Sequence, residues 1–179
     1  MRIASLTVAP YLVPMLCAFS IGNCAAAPYV ATLLLPSGGF TEGQAVGINN
    51  GVQVGSGHGS GTVINPHALL WSGTAASAVD INPSGFRSSA ALGIAGNNQV
   101  GVGSRTGAQR HALLWHGSAA SAIDLNPAGF TESHGWATSA TQQVGYGLPN
   151  GTSTDYHALL WSGSAASAVD LTPTGFDQL

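Results

Sequence analysis

Beyond residue 30 the hydrophobic positions come in short runs broken by Gly, Pro and Asn, a rhythm of strands and turns rather than of helices. His111-Ala112-Leu113-Leu114-Trp115 is a five-residue apolar run with an aromatic end, which suits a buried strand. Gly117 to Ser121 reads as a small-residue turn, and Ala122-Ile123-Asp124-Leu125 as a second strand stopped by Asn126-Pro127 and Gly129. Ser89 to Ile94 and Gln99 to Gly103 supply a third and a fourth. Asn49-Asn50-Gly51 is the signal for a type I′ hairpin turn. Glycines alternate with apolar residues in VGVG and VGYG, as in strands pressed against neighbouring backbone. The Ala-rich SAASA segment is too short, and too closely flanked by Gly, to be a helix.

These elements recur. HALLWSGTAASAVDINPSGF at 67–86 returns as HALLWHGSAASAIDLNPAGF at 111–130 and HALLWSGSAASAVDLTPTGF at 157–176, at offsets of 44 and 46 residues. Between them TEGQAVGINNGVQVGSG, SSAALGIAGNNQVGVGS and TESHGWATSATQQVGYG form a second repeated half. A degenerate opening, ATLLLPSGGF at 31–40, precedes the first. The units run approximately 28–72, 73–116 and 117–162, with a partial unit at 163–179.

A period near 44 residues carrying four strands has the size of a β-propeller blade. The expected fold is therefore all-β, with propeller-like blades of four short antiparallel strands, about three units and an incomplete ring. Three outcomes stay open at this stage: a product cut from a longer protein, association of copies, or an open arc. In an array this short the terminal Val169-Asp170-Leu171 strand is a candidate to pair with Ala31 to Leu35, leaving Leu33, Leu35 and Leu171 partly exposed. Exposed, weakly charged edges of this kind recruit other chains, so self-association is expected.

The His-Ala-Leu-Leu-Trp run, the small-residue turn, the Val-Asp-Leu-Asn-Pro piece and the Gln-Val-Gly piece together resemble the HAF-type extracellular repeat of secreted or surface bacterial proteins. Leu69, Leu113 and Leu159 stand where that family has Phe. The resemblance covers nearly all of residues 28–179. It implies a propeller-like extracellular module and no catalytic residues.

The opening 27 residues have a different character. Arg2 is followed by no charged residue until Glu42, an apolar stretch runs from Ile3 to Ile21, and Ala25, Ala26 and Ala27 close it. These are the marks of a secretory signal peptide, with a product beginning near residue 25 to 28. Pro10 and Pro14 would kink a membrane-spanning helix, so no membrane span is expected after its removal. Both cysteines, Cys17 and Cys24, fall inside it, which leaves the mature chain without a disulfide or a thiolate metal site.

Composition narrows the chemistry. Only 11 of 179 residues are charged, and there is no Lys. A net charge of −3 with four Arg cannot build a phosphate-neutralising stripe, so nucleic acid is not an expected partner. The absence of Lys also excludes a phosphate-loop lysine and a Schiff base.

The repeated chemistry-bearing residues are His67, His111 and His157 with Asp80, Asp124 and Asp170. Three equivalent imidazoles are weak candidates for a shared zinc site. A scaffold role fits their repetition better, with each ring on a loop carbonyl and each carboxylate accepting backbone N–H bonds before its Pro turn. Trp71, Trp115 and Trp161 are expected structural residues of the repeat. No cofactor is expected.

Specificity would come from residues that differ between units: Arg105, Arg110, His134, Trp136, Asp155 and Tyr156, with His58 and His116 as lesser candidates. Arg105, Arg110 and Tyr156 all precede a HALLW strand and are expected on one rim, where they could hold a glycan or an anion. The expected function is a secreted, non-catalytic module for protein or glycan contacts. The alternative is a propeller-type hydrolase or lyase acting on polysaccharide, whose carboxylates would have to come from Glu42, Glu132, Asp155 or Asp177 beyond the repeated three.

Overall fold

The computed structural model describes residues 30–36, 39–59, 65–105, 109–173 and 175. The expected signal segment and both cysteines lie outside them. Thr32–Leu179 forms one compact unit. It is all-β, with three four-stranded antiparallel sheets and, among the described residues, no helix beyond single 3-10 turns. The sheets do not close into a barrel. Among the described residues no helix is long and apolar enough to cross a membrane.

Sheet 1 consists of β1 (Phe40–Asn49), β2 (Val52–Gly59), β3 (His67–Trp71) and β4 (Val79–Asp80), in that order. Sheet 2 consists of β5 (Ser88–Ala95), β6 (Asn98–Ser104), β7 (Arg110–Trp115) and β8 (Ile123–Asp124). Sheet 3 consists of β9 (Phe130–Thr138), β10 (Gln143–Pro149), β11 (His157–Trp161) and β12 (Val169–Asp170). The register is the same in all three: Leu69 faces Asp80, Leu113 faces Asp124 and Leu159 faces Asp170. Each sheet thus begins with the strand that the sequence pattern placed third in its unit, and the Asn-Pro turn after β4 and β8 carries the chain to the next sheet.

Local chemistry accounts for the elements. Asn50 (φ 47°) and Gly51 (φ 77°) both take positive φ in the two-residue link between β1 and β2, as a type I′ turn requires. SAASA forms one 3-10 turn, as at Ala119–Ser121, where the Ser121 hydroxyl donates to Ser118 O at 2.6 Å and accepts from His116 N at 2.9 Å. The second strand of each unit is shorter than the four residues expected. Only two pair fully, because Asp80, Asp124 and Asp170 immediately fold back onto the next residues.

The sheets stack face to face. Leu113 and Trp115 of sheet 2 pack with Val54, Ala68 and Ile81 of sheet 1. Leu159 and Trp161 of sheet 3 pack with Val100, Ala112, Leu114 and Leu125 of sheet 2. A hydrogen-bond relay crosses each junction. Ser89 Oγ accepts from Ala68 N (3.0 Å) and donates to Asn82 Oδ1 (2.6 Å). Ser133 Oγ accepts from Ala112 N (3.0 Å) and donates to Asn126 Oδ1 (2.7 Å). In sheet 3 Thr172 replaces the Asn, and its own hydroxyl accepts from Ala158 N at 2.9 Å. The turns are tied as well: Asn49 Oδ1 accepts from Gly96 N, and Asn98 Nδ2 donates to Ser139 O and Ala140 O.

The pairing of Val169–Leu171 with residues 31–35 does not occur. Residues 32–36 form no strand, and β12 pairs with Leu159 and Leu160 of β11 instead. Local antiparallel return through the 3-10 turn reaches β11 with far less loop closure than a partner more than 130 residues away. Leu33 and Leu171 are 78% and 51% exposed, and Leu35 is half-buried.

Candidate functional site

The repeated His and Asp residues pair within each sheet. His67 Nδ1 lies 2.7 Å from Asp80 Oδ2, His111 2.8 Å from Asp124 and His157 2.5 Å from Asp170. The imidazoles therefore meet carboxylates, not the loop carbonyls expected of them, because antiparallel pairing sets the start of β3, β7 and β11 beside the end of the short strand. The other carboxylate oxygen accepts the backbone N–H of Asn82, Asn126 or Thr172, each at 2.9 Å, as the turn chemistry predicted. Desolvation acts to raise the Asp170 pKa, but the bonds from His157 and Thr172 outweigh it and hold the carboxyl below its ordinary value. Among the described residues no three His, Cys, Asp or Glu side chains stand close enough to share a metal ion. Trp71, Trp115 and Trp161 are buried, with indole N–H groups that find no acceptor among the described residues.

The residues that differ between units divide. Arg105 is engaged structurally: it contacts Asp124 Oδ2 at 3.0 Å and lies 4.5 Å above the Phe86 ring. Asp155 is half-buried and makes no hydrogen bond or ion pair with another described residue. His116 is exposed, and His58 lines a shallow hollow of about 170 Å³ with Glu42 and Gln44 on sheet 1. His134, Trp136 and Tyr156 do come together, around a residue the sequence reading passed over. Tyr146 stacks on His134 with centroids 4.7 Å apart, meets Tyr156 edge-on at 5.1 Å and lies 6.5 Å from Trp136. The register explains the cluster, since Tyr146 pairs with His134 on one side and with Ala158 on the other. Its signal was present in the sequence: VGYG stands where the preceding unit has VGVG.

The cluster's electrostatics follow from its partial burial. Desolvation, helped by the Arg110 guanidinium, lowers the His134 pKa to about 4, so the ring is neutral at physiological pH. Burial raises the Tyr146 pKa, Tyr156 and Glu132 push it the same way, and Arg110 opposes them. Arg110 and Glu132 thus bring one charge of each sign to an otherwise aromatic patch.

This patch adjoins a face that no described sheet covers. Val54 and Val100 are 0% exposed because the following sheet packs on them, whereas their equivalent Val144 is 42% exposed. Ala158 is exposed where Ala68 and Ala112 are buried, and Leu171 is exposed where Ile81 and Leu125 are buried. A hollow of about 260 Å³ opens here, lined by Ala137, Thr138, Val144 and Leu160 among others. Trp136, 53% exposed, directly precedes Ala137 on β9, and Tyr156, 47% exposed, meets Tyr146, two residues beyond Val144.

Compared with family models, with curated proteins and with solved structures, the chain matches none.

Proposed function

We propose that the chain is a non-catalytic interaction module whose contact surface is the free face of sheet 3. The observation that carries this is positional. Three chemically equivalent faces exist, two are filled by the next sheet, and the third presents Val144, Ala158 and Leu171 to solvent with Trp136 and Tyr156 beside them. Exposed apolar surface flanked by aromatic residues is the composition of a contact surface. In this reading the sheets are propeller-like blades in an incomplete ring. The module is secreted or surface-displayed, as the signal-like leader and the HAF-type resemblance suggest, and the product begins near residue 25 to 28.

A second reading is favoured by the aromatic cluster itself. Trp136, Tyr146 and Tyr156 offer ring faces on which a sugar can stack, with Arg110 and Glu132 as polar neighbours. It keeps the module non-catalytic. The polysaccharide-cleaving alternative draws less support: Glu42 and Glu132 stand on β1 and β9, in different sheets.

The test is a binding screen of the full chain against immobilised glycans and bacterial surface proteins, repeated with Val144→Arg and Trp136→Ala. Loss of a captured partner in both variants supports the face as the contact surface. Capture that neither variant changes refutes it. N-terminal sequencing of exported material that still shows Met1 refutes the secreted product.

A further inference from the structure

We propose that the partner on this face is a second copy of the chain, each copy placing Trp136 into the other's hollow beside Val144. The inference rests on the contact-surface reading above and names its occupant.

The two filled junctions show what the face accepts. At the first, Trp115 joins Val54, Ala68 and Ile81 in one buried cluster. At the second, Trp161 joins Val100, Ala112, Leu114 and Leu125. The hollow on sheet 3 is lined by Val144 and Leu160, the equivalents of Val100 and Leu114, so it is the same indole socket without its indole. Ala137 and Thr138, which follow Trp136 on β9, complete its wall. An open socket of this shape calls for a flat aromatic side chain delivered by a protein surface.

The chain carries four tryptophans. Trp71, Trp115 and Trp161 are at most 1% exposed and so cannot be delivered, while Trp136 is 53% exposed and directly precedes Ala137 of the socket wall. A head-to-tail array would bring up the opposite face of sheet 1, where Ala45 and Ile48 are exposed, but the tryptophan of that face, Trp71, is 1% exposed and cannot enter the socket. What remains is an isologous pair, in which the same face meets itself and each socket receives the other copy's Trp136. Tyr156 and Tyr146 then border the buried ring, and Arg110 and Glu132, of opposite sign beside Tyr146, leave the patch without a net charge to repel its copy.

Size sets the strength. The four strands of sheet 3 are nine, seven, five and two residues long, which at about 3.4 Å per residue and about 4.8 Å between strands gives a face of about 380 Å². Two such faces bury on the order of 800 Å² in all, below the size of a stable interface, which predicts a weak, transient dimer with a dissociation constant of about 100 μM.

Sedimentation equilibrium of the full chain tests this, over about 10 to 1,000 μM. Wild type is expected to pass from monomer to dimer, with Trp136 emission moving to the blue as dimer forms. Val144→Arg and Trp136→Ala are expected to weaken the dimer at least about tenfold while leaving the melting profile of the monomer unchanged, since both positions are exposed. Val100→Arg, at the equivalent filled position, is expected to unfold the chain and so marks the difference between a free and an occupied socket. A wild type monomeric throughout overturns the proposal, and so does association that both variants leave intact, which would place it on another surface. Monomeric protein that captures a glycan through Trp136 overturns the second copy but keeps the contact surface; monomeric protein that captures nothing overturns both.

Discussion

Replacing Ser133 by Ala would separate the inter-sheet relay from ordinary surface polarity. Ser133 is fully buried on β9, and its hydroxyl is the acceptor for the amide of Ala112, itself fully buried on β7. Without the hydroxyl that N–H has no partner and no water, a penalty of about 1 to 3 kcal/mol. The Asn126 side chain also loses the donor to its Oδ1 and keeps its bond from Nδ2 to Phe130 O. The combined cost should be about 3 kcal/mol, a large fraction of the stability of a domain this size. Thr172→Val removes the matching acceptor from Ala158, but that amide lies on the free face where water replaces it, so about 0.5 kcal/mol is expected. Urea unfolding followed by the emission of the three buried tryptophans would read both variants. With a slope of about 2 kcal/mol per molar, the midpoints should fall by about 1.5 M and about 0.3 M. Equal shifts, or a Ser133→Ala cost below about 0.5 kcal/mol, would refute the relay as a buried coupling between sheets 2 and 3.

Acidification should weaken the fold through His134. Its folded-state pKa of about 4 lies below the unfolded value of 6.5, so between those pH values the unfolded chain binds a proton that the folded one refuses. Stability is therefore lost as pH falls from about 6.5 to about 4, by about 2 kcal/mol once solvent screening at this partly open site is allowed for. His134→Phe should flatten that segment of the pH–stability curve, and an unchanged slope would refute the assignment. Asp170 contributes in the same direction lower down, where protonation ends its bonds to His157 and Thr172. Gly101→Ala should unfold the chain, because an added Cβ would lie 2.0 Å from Ala90 O at the β5–β6 bulge. Gly73→Ala, where φ is +79° and space is open, should cost only about 1 kcal/mol, and comparable losses in the two variants would contradict the crowding.

The sequence made the HALLW strands, the Asn50-Gly51 turn and the 3-10 turns legible because each depends on neighbours a few residues away. The grouping of strands into sheets was not legible, since the turn after Asp124 leads as readily to a partner strand as to the next sheet. The His–Asp pairing was missed for a related reason: residues 13 apart meet only once β7 and β8 fold back on one another. At the candidate site His134, Trp136 and Tyr156 stood out as departures from the repeat. Tyr146 did too, yet its role depends on cross-strand register, which no single strand reveals. Arg105 stood out equally and turned out to serve Asp124.

Thr172 makes the three units unequal as building parts. In sheets 1 and 2 the residue before Pro is an Asn that must be completed by a serine from the following sheet, whereas Thr172 satisfies the Ala158 amide from within its own sheet. A chain lengthened by duplicating the middle unit would keep every donor matched. Moving the third unit to the middle would instead bring an incoming serine against a threonine with no carbonyl to receive it. The relay thus gives the repeats an order, although their sequences are nearly the same, and a recombined gene would reveal that order as loss of folding rather than as loss of binding.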